Sequence, residues 1–305
     1  MSRPAAPASD DPDPLVLVGA LHVDELCWPT GRLVPRASNP VRHARRPGGV
    51  AANVARAAAA AGDGRAVVLC AALGDDADAR WLLDALGGDG VDCRAVRVPG
   101  RPTGRYTVVH DEAGELLLGL SDVDIAEALD AAAVRAALAG TRAAALVLDA
   151  NLSPGCLAAL LERADAADPG PRAPRVALAV SPAKAARLAP HLGALDLLFC
   201  NRREGAALAG APADAPLEAI ADALLALGCA RFVLSDGGAP IVVQRPGKRH
   251  LVPVPRTTIR GSVNGAGDAL AGATLARWLA GGDLPGAVRE AGVAAAGAVL
   301  AAAGP

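Results

Sequence analysis

Short runs of consecutive apolar residues alternate along this chain with longer stretches in which alanine and leucine recur at helical spacing. "LVLVGAL" (15–21), "AVVLCAAL" (66–73), "AALVLDA" (144–150), "RVALAV" (175–180), "LDLLFC" (195–200) and "RFVLSDGG" (231–238) have strand length. Apolar runs of that length predict strands buried on both faces. "GGVAANVARAAAAAG", "DADARWLLDALGG" and "REGAALAG" follow such runs and predict helices. A strand followed by a helix, repeated, is the pattern of a mostly parallel sheet covered by helices on both sides. The expected architecture is therefore a three-layer α/β/α sandwich. Two segments break the rhythm. Residues 24–47 are rich in Pro and Arg, and 105–120 read as a hairpin around "DEAGE". These predict a small β-strand lid formed by segments at approximately 24–47 and 103–122. A further hairpin is expected in "PIVVQRPGKRHLVPV" (240–254). Residues 1–13 read as a disordered tail and 14–305 as one domain, without repeats or an interdomain linker.

Composition narrows the chemistry. The 305 residues are 52% hydrophobic, only 2% aromatic, and carry a formal net charge of −2. Few stacking side chains and no large basic block argue against a nucleic acid polymer or an anionic membrane as partner. Six scattered cysteines form no CxxC pair and have no His at ligand spacing, which excludes a zinc framework and points to reduced core thiols. The N-terminus lacks the apolar core of a signal peptide, and no run of about 18 strong hydrophobes occurs, so a cytoplasmic location is expected.

Ligands of a doubly wound sheet sit beyond the carboxyl ends of its strands. The residues expected there are Asp24, Asp149 to Asn151, Ser181, Asn201, Ser235 to Gly238, and the loop before Asp268. In "GSVNGAGDALAG" (261–272), Gly265, Ala266 and Gly267 precede a long apolar helix, and bare amides there suit an anion. Asp268, in the first turn, suits a general base beside that pocket, although a glycine-rich cap with an acidic first turn has the same sequence. Gly48 and Gly49 open an earlier helix with Asn53 one turn in, and together with Asp24 these could hold a polar ligand's hydroxyls. The same residues also suit a tight turn. "FCNRREGAAL" places Asn201 at a strand end and Glu204 three residues on. That spacing fits a hydrated Mg²⁺ or a capping box. There is no GxxxxGK[ST], and the first strand carries no GxGxxG, which argues against a Walker-type ATPase or a Rossmann dehydrogenase.

The order of these motifs resembles the ribokinase-like (pfkB) family of carbohydrate and nucleoside kinases over residues 15–303. The resemblance rests on a double Gly with downstream Asn, then NxxE, then SxGG, then GAGD opening a late helix. It implies ATP and Mg²⁺ as cofactors, with room for a monovalent cation such as K⁺. Asp268 would be the base, and Gly265, Ala266 and Gly267 the anion hole. Asn201 and Glu204 would support Mg²⁺ through water, while Asn201, Ser235, Gly237, Gly238 and Asn264 would border the nucleotide. A homodimer through the lid is implied as well. "SNP" (38–40), "GLSDVDI" (119–125), "LDANLS" (148–153) and "NGAGDAL" are similar to the pseudouridine kinase branch of that family. This narrower likeness implies that Asp24, Ser38, Asn39, Gly48, Gly49, Asn53, Thr103 and Asp122 face a nucleoside whose 5′-hydroxyl is phosphorylated. Three positions depart from the patterns: Asn264 stands in place of Thr, Ser181 in place of Asp, and Asp124 in place of Asn. Kinases of ribose, other sugars or purine nucleosides, and a non-catalytic binding protein on this fold, remain open on the sequence alone.

Overall fold

The computed structural model describes residues 12–162, 173–259 and 264–302. Most of the tail read at 1–13 and the first three residues of "GSVNGAGDALAG" lie outside this range. Apolar runs form the expected strands, β1 (Leu15–Val18), β4 (Val67–Leu73), β8 (Ala145–Asp149), β9 (Arg175–Leu178), β10 (Leu197–Asn201) and β11 (Phe232–Ser235), and they are parallel. The hairpin β12 (Ile241–Arg245) and β13 (Lys248–Val252) adds antiparallel strands at one edge, and β5 (Val91–Arg97) closes the other. Among the described residues this sheet has nine strands in the order β13-β12-β11-β10-β9-β8-β1-β4-β5.

β5 lay hidden in the sequence because it is an edge strand. Its "VDCRAVR" alternates Asp92 and Arg94 outward, so no continuous apolar run marks it. The remaining strands, β2 (His22–Pro29), β3 (Val41–Gly48), β6 (Arg105–His110) and β7 (Leu116–Asp122), form a separate four-stranded sheet in the order β3-β2-β6-β7.

Helices α1 (Val50–Ala61), α2 (Ala77–Gly88), α3 (Ala131–Ala137), α4 (Pro154–Leu161), α5 (Pro182–Ala185), α6 (Arg202–Ala209), α7 (Leu217–Ala226) and α8 (Ala266–Leu279) flank the large sheet. Buried residues divide into two apolar clusters. One lies under α1 and α8, with Leu17, Val54, Leu69 and Leu275, and the other includes Leu148, Leu157, Leu198 and Leu224 from the opposite side. With so few aromatic side chains, helices approach the sheet and each other closely. A Cβ on Gly272 of α8 would run into the Val54 carbonyl oxygen of α1. The chain ends in α9 (Leu284–Ala287), a π-helical turn and α10 (Val293–Ala301). The stretch Leu284–Ala301 is long and apolar enough by composition to cross a membrane, with mean hydropathy 1.2, and a third of it is buried in the fold.

Candidate active site

The carboxyl ends of β8, β9, β10 and β11 open into a cleft of about 840 Å³, floored by the N-termini of α1 and α8 and walled by the small sheet. Register brings the strand ends level there, with Asn201 beside Ser235 and Asp149 beside Leu178.

The cleft is organised around Asp149, a fully buried carboxylate at the end of β8. Gly49, the N-cap of α1, has no side chain with which to satisfy the first helical amides, and Asp149 does so from across the sheet. Its Oδ2 accepts from Ala51 N at 3.1 Å and from Ala20 N at 2.9 Å. Asn151, two residues on, donates to it through backbone and side chain, at 3.0 and 3.1 Å. Burial raises the Asp149 pKa, and these four donors oppose the rise. A Cβ on Gly19 would collide with this carboxylate, on Gly48 with Asp24, and on Gly49 with the Ala20 carbonyl oxygen. Gly49 also has φ +105°, a conformation glycine adopts at little cost. The double Gly read from the sequence therefore has an internal packing reason.

Fixed in this way, α1 directs Asn53 at α8, where its Nδ2 donates to Asp268 Oδ2 at 2.9 Å. Asp268 has a pKa raised from the ordinary 3.8 to about 7. Desolvation is the main cause, with smaller repulsions from Asp149, Glu204 and Asp24, and the Asn53 hydrogen bond opposes them. Just before it, Gly265 is the N-cap of α8 at φ 88°, and Ala266 and Gly267, expected ahead of the helix, are its first two residues. Unlike Gly48 and Gly49, neither Gly265 nor Gly267 has a neighbour among the described residues that a Cβ would meet within 4 Å.

Asn201 and Glu204 form the capping box of α6 as well as lining the cleft. Glu204 accepts from Asn201 N at 2.9 Å and Nδ2 at 2.7 Å, while Asn201 Oδ1 accepts from Glu204 N at 3.0 Å. Burial raises the Glu204 pKa against those bonds. No group of three or more His, Cys, Asp or Glu side chains among the described residues could enclose a metal ion. A divalent cation here would take most of its ligands from phosphate and water, as Mg²⁺ does. Ser235 and Asn264 line the same end, whereas Gly237 and Gly238 sit in the turn after β11, outside the lining.

At the other end the small sheet presents Asp24, Tyr106 and Ser121, which its register aligns on one face. Asp24 lies 3.3 Å from His22 Nδ1 and accepts from Arg46 Nε at 3.2 Å. Four other residues expected here are elsewhere. Asp122 is one residue further along β7 and so points to the opposite face of the sheet, beside Arg105. Thr103 is buried, its hydroxyl donating to Asp76 Oδ1 at 2.7 Å and accepting from Gly74 N. Ser38 and Asn39 are in the β2–β3 connection, where Asn39 closes the turn through Val34 N and O. The sequence reading passed over His22, Arg46, Tyr106, Ser121 and Lys184, all of which line the cleft. The period-two alternation of "RYTVVH" could have separated Tyr106 from its neighbours, but the face it belongs to depends on pairing that a single chain does not display. Val180, at the end of β9, has φ 70°, a strained conformation for a β-branched residue, and it too lines the cleft.

A family model described as pfkB family carbohydrate kinase matches residues 22–305. Pseudouridine kinase from Escherichia coli (strain K12) is 28% identical over 275 residues, spanning 88% of this chain and 85% of that protein. A carbohydrate kinase from Agrobacterium tumefaciens superposes with a TM-score of 0.79 at 29% identity, covering 93% of this chain and 89% of the other. Arabidopsis thaliana ribokinase, solved with ribose and ATP, superposes equally well at 20% identity, covering 96% and 94%. At that identity the last likeness speaks to the ribokinase-like fold alone.

Proposed function

The chain belongs to the pfkB family of carbohydrate kinases, phosphotransferases with a hydroxyl acceptor, and on that premise we propose that it phosphorylates the 5′-hydroxyl of pseudouridine with ATP. The observation that carries the chemistry is Asp268. Its carboxylate is held by Asn53 in the first turn of α8, is tuned to about 7, and follows two glycines whose missing side chains would meet no described residue.

In this reading the acceptor hydroxyl lies against Asp268, which takes its proton as the oxygen attacks the terminal phosphorus. The new O–P bond forms as the bond to the ADP oxygen breaks, and ADP leaves with the electron pair. The amides of Gly265, Ala266 and Gly267 hold the charge gathering on the phosphoryl oxygens. A pKa near neutrality suits this base, because enough carboxylate is present at pH 7 and its proton affinity is still useful. Asn201 and Glu204 would orient the water shell of Mg²⁺, which when bound neutralises phosphate charge as a Lewis acid. Ser235 and Asn264 border the nucleotide.

The acceptor side is polar. Asp24, His22, Tyr106 and Ser121 offer donors and acceptors that match a uracil ring's two N–H groups and two carbonyls and the ribose hydroxyls. The 28% identity to a pseudouridine kinase supports the same acceptor. The small sheet acts as the lid over this end, and its exposed edge as the contact of a homodimer. Coupled ADP release measured against pseudouridine, uridine, adenosine, ribose and fructose tests the reading. Pseudouridine should have the highest kcat/KM. A preference for ribose would overturn the acceptor, and silence with every acceptor would overturn the kinase.

A further inference from the structure

We propose that Lys184 binds the phosphoryl group in transit, and that Asn151 positions it by linking it to the buried Asp149. The inference rests on the kinase reading above and adds to it a cation that neither the motifs nor the family match assigns.

Three Lys or Arg side chains line the cleft among the described residues, namely Arg46, Arg56 and Lys184. Two of them are neutralised locally. Arg46 Nε lies 3.2 Å from Asp24, and Arg56 Nε lies 2.5 Å from Asp89. Lys184 is different. Its Nζ donates at 2.6 Å to Asn151 Oδ1, a neutral amide oxygen, and no carboxylate among the described residues comes within ion-pair distance of it.

The orientation of that amide is fixed. Asn151 is 5% exposed, and its Nδ2 donates to Asp149 Oδ2 at 3.1 Å, so its Oδ1 is left to face the ammonium. A flipped amide would set donor against donor at Lys184 and acceptor against acceptor at Asp149. The Arg187 guanidinium donates to the Ala150, Asn151 and Leu152 carbonyl oxygens and stiffens the loop from behind. The result is a lysine aimed into a cleft, tethered by a neutral group, with its charge uncompensated. A lysine of purely structural use would find a carboxylate or extend into bulk water. An ammonium on a four-carbon stem is a point charge able to follow a phosphoryl group as it moves between two oxygens. It donates hydrogen bonds to the phosphoryl oxygens and exchanges no proton, since the acceptor's proton goes to Asp268.

Asp149 thus serves both halves of the reaction. Through Ala51 it sets α1, whose Asn53 holds the base, and through Asn151 it sets the cation.

The test compares the parent protein with Lys184→Met, Lys184→Arg and Asn151→Leu. Steady-state kinetics on the preferred acceptor are run beside calorimetric binding of inorganic tripolyphosphate, which requires no turnover. Lys184→Met should lower kcat about 10²–10³-fold, leave the acceptor KM within about threefold, and weaken tripolyphosphate at least tenfold. Lys184→Arg should recover most of both losses. Asn151→Leu should lower kcat less, in step with its weaker tripolyphosphate binding. If Lys184→Met matched the parent in turnover and in binding, the inference would fall while the kinase reading stood. Lost turnover with intact tripolyphosphate binding would make the lysine an indirect contributor and also overturn the assignment. If the parent turned over no acceptor, yet tripolyphosphate binding still depended on Lys184, the kinase reading would fall and the anion site would stand.

Discussion

Asp268 carries two pH effects of opposite value to the protein. As the proposed base it must be ionised, so kcat/KM should fall as pH drops through about 7, and the acid limb should disappear in Asp268→Asn together with about 10²–10⁴-fold of the activity. As a partly buried, desolvated charge it costs stability. Its folded pKa, about 7, exceeds the ordinary 3.8, so between those values the folded chain binds more protons than the unfolded one. Stability therefore declines as pH rises through that window. Asp268→Asn should gain on the order of 1–2 kcal/mol at pH 8, discounted for solvent reaching the cleft, and nothing near pH 3.5. Thermal melts at the two pH values check this. Asn53→Ala should move the acid limb upward, because the lost hydrogen bond favours the ionised form. Its activity at pH 7 should recover in part at pH 8.5. Asp268 was singled out from "GAGD", but its hydrogen-bond partner was not legible as such, since Asn53 lies 215 residues away.

Between helices, two glycines of one segment make different statements. Gly267→Ala should leave the melting temperature almost unchanged and depress turnover, because the added methyl meets no atom of the described residues within 4 Å and intrudes where, in the proposed reading, a phosphoryl group would approach. Gly272→Ala should destabilise by about 1–3 kcal/mol, because its methyl drives α8 off α1 at the Val54 carbonyl oxygen, the Ala57 Cβ and the Ala58 nitrogen. Paired melting and kinetic measurements separate the two. The sequence singled out Gly267 as part of a bare-amide pocket, whereas the packing reason for Gly272 appears only once α8 lies against α1. The same limit explains Asp122 and Thr103. The lid segment at approximately 103–122 was legible, yet the pairing of β7 with β6 turns Ser121, and not Asp122, toward the cleft. Strands buried on both faces announced themselves in the sequence, and the half-exposed β5 did not.

Across the whole molecule, the alternation of apolar runs and helices was enough to read a mostly parallel sheet covered by helices, because each element's period agreed with its place in the sheet, while its ribokinase-like kind was legible only in the order of the motifs. Quaternary structure leaves a different kind of mark. β7 is an edge strand with Leu116, Leu117, Leu118 and Leu120 each more than half exposed. Such an edge, unprotected by charge, is a pairing surface. In the homodimer proposed above, this strand meets its copy. Leu118→Lys combined with Leu120→Glu should convert a dimer to a monomer by light scattering, with the fold retained. A parent that is already monomeric at micromolar concentration would sink that proposal.

The Asp149 carboxylate joins Ala20 and Ala51 across 129 and 98 residues of chain, and Asn53 joins Asp268 across 215. In kinetic terms the catalytic geometry has very high contact order, and loops of that size must close before any of its bonds can form. Helices and local hairpins carry no such burden. On refolding from denaturant, far-UV ellipticity should therefore return well before phosphotransfer, and the interval between them measures how long the chain is folded in outline without yet being an enzyme.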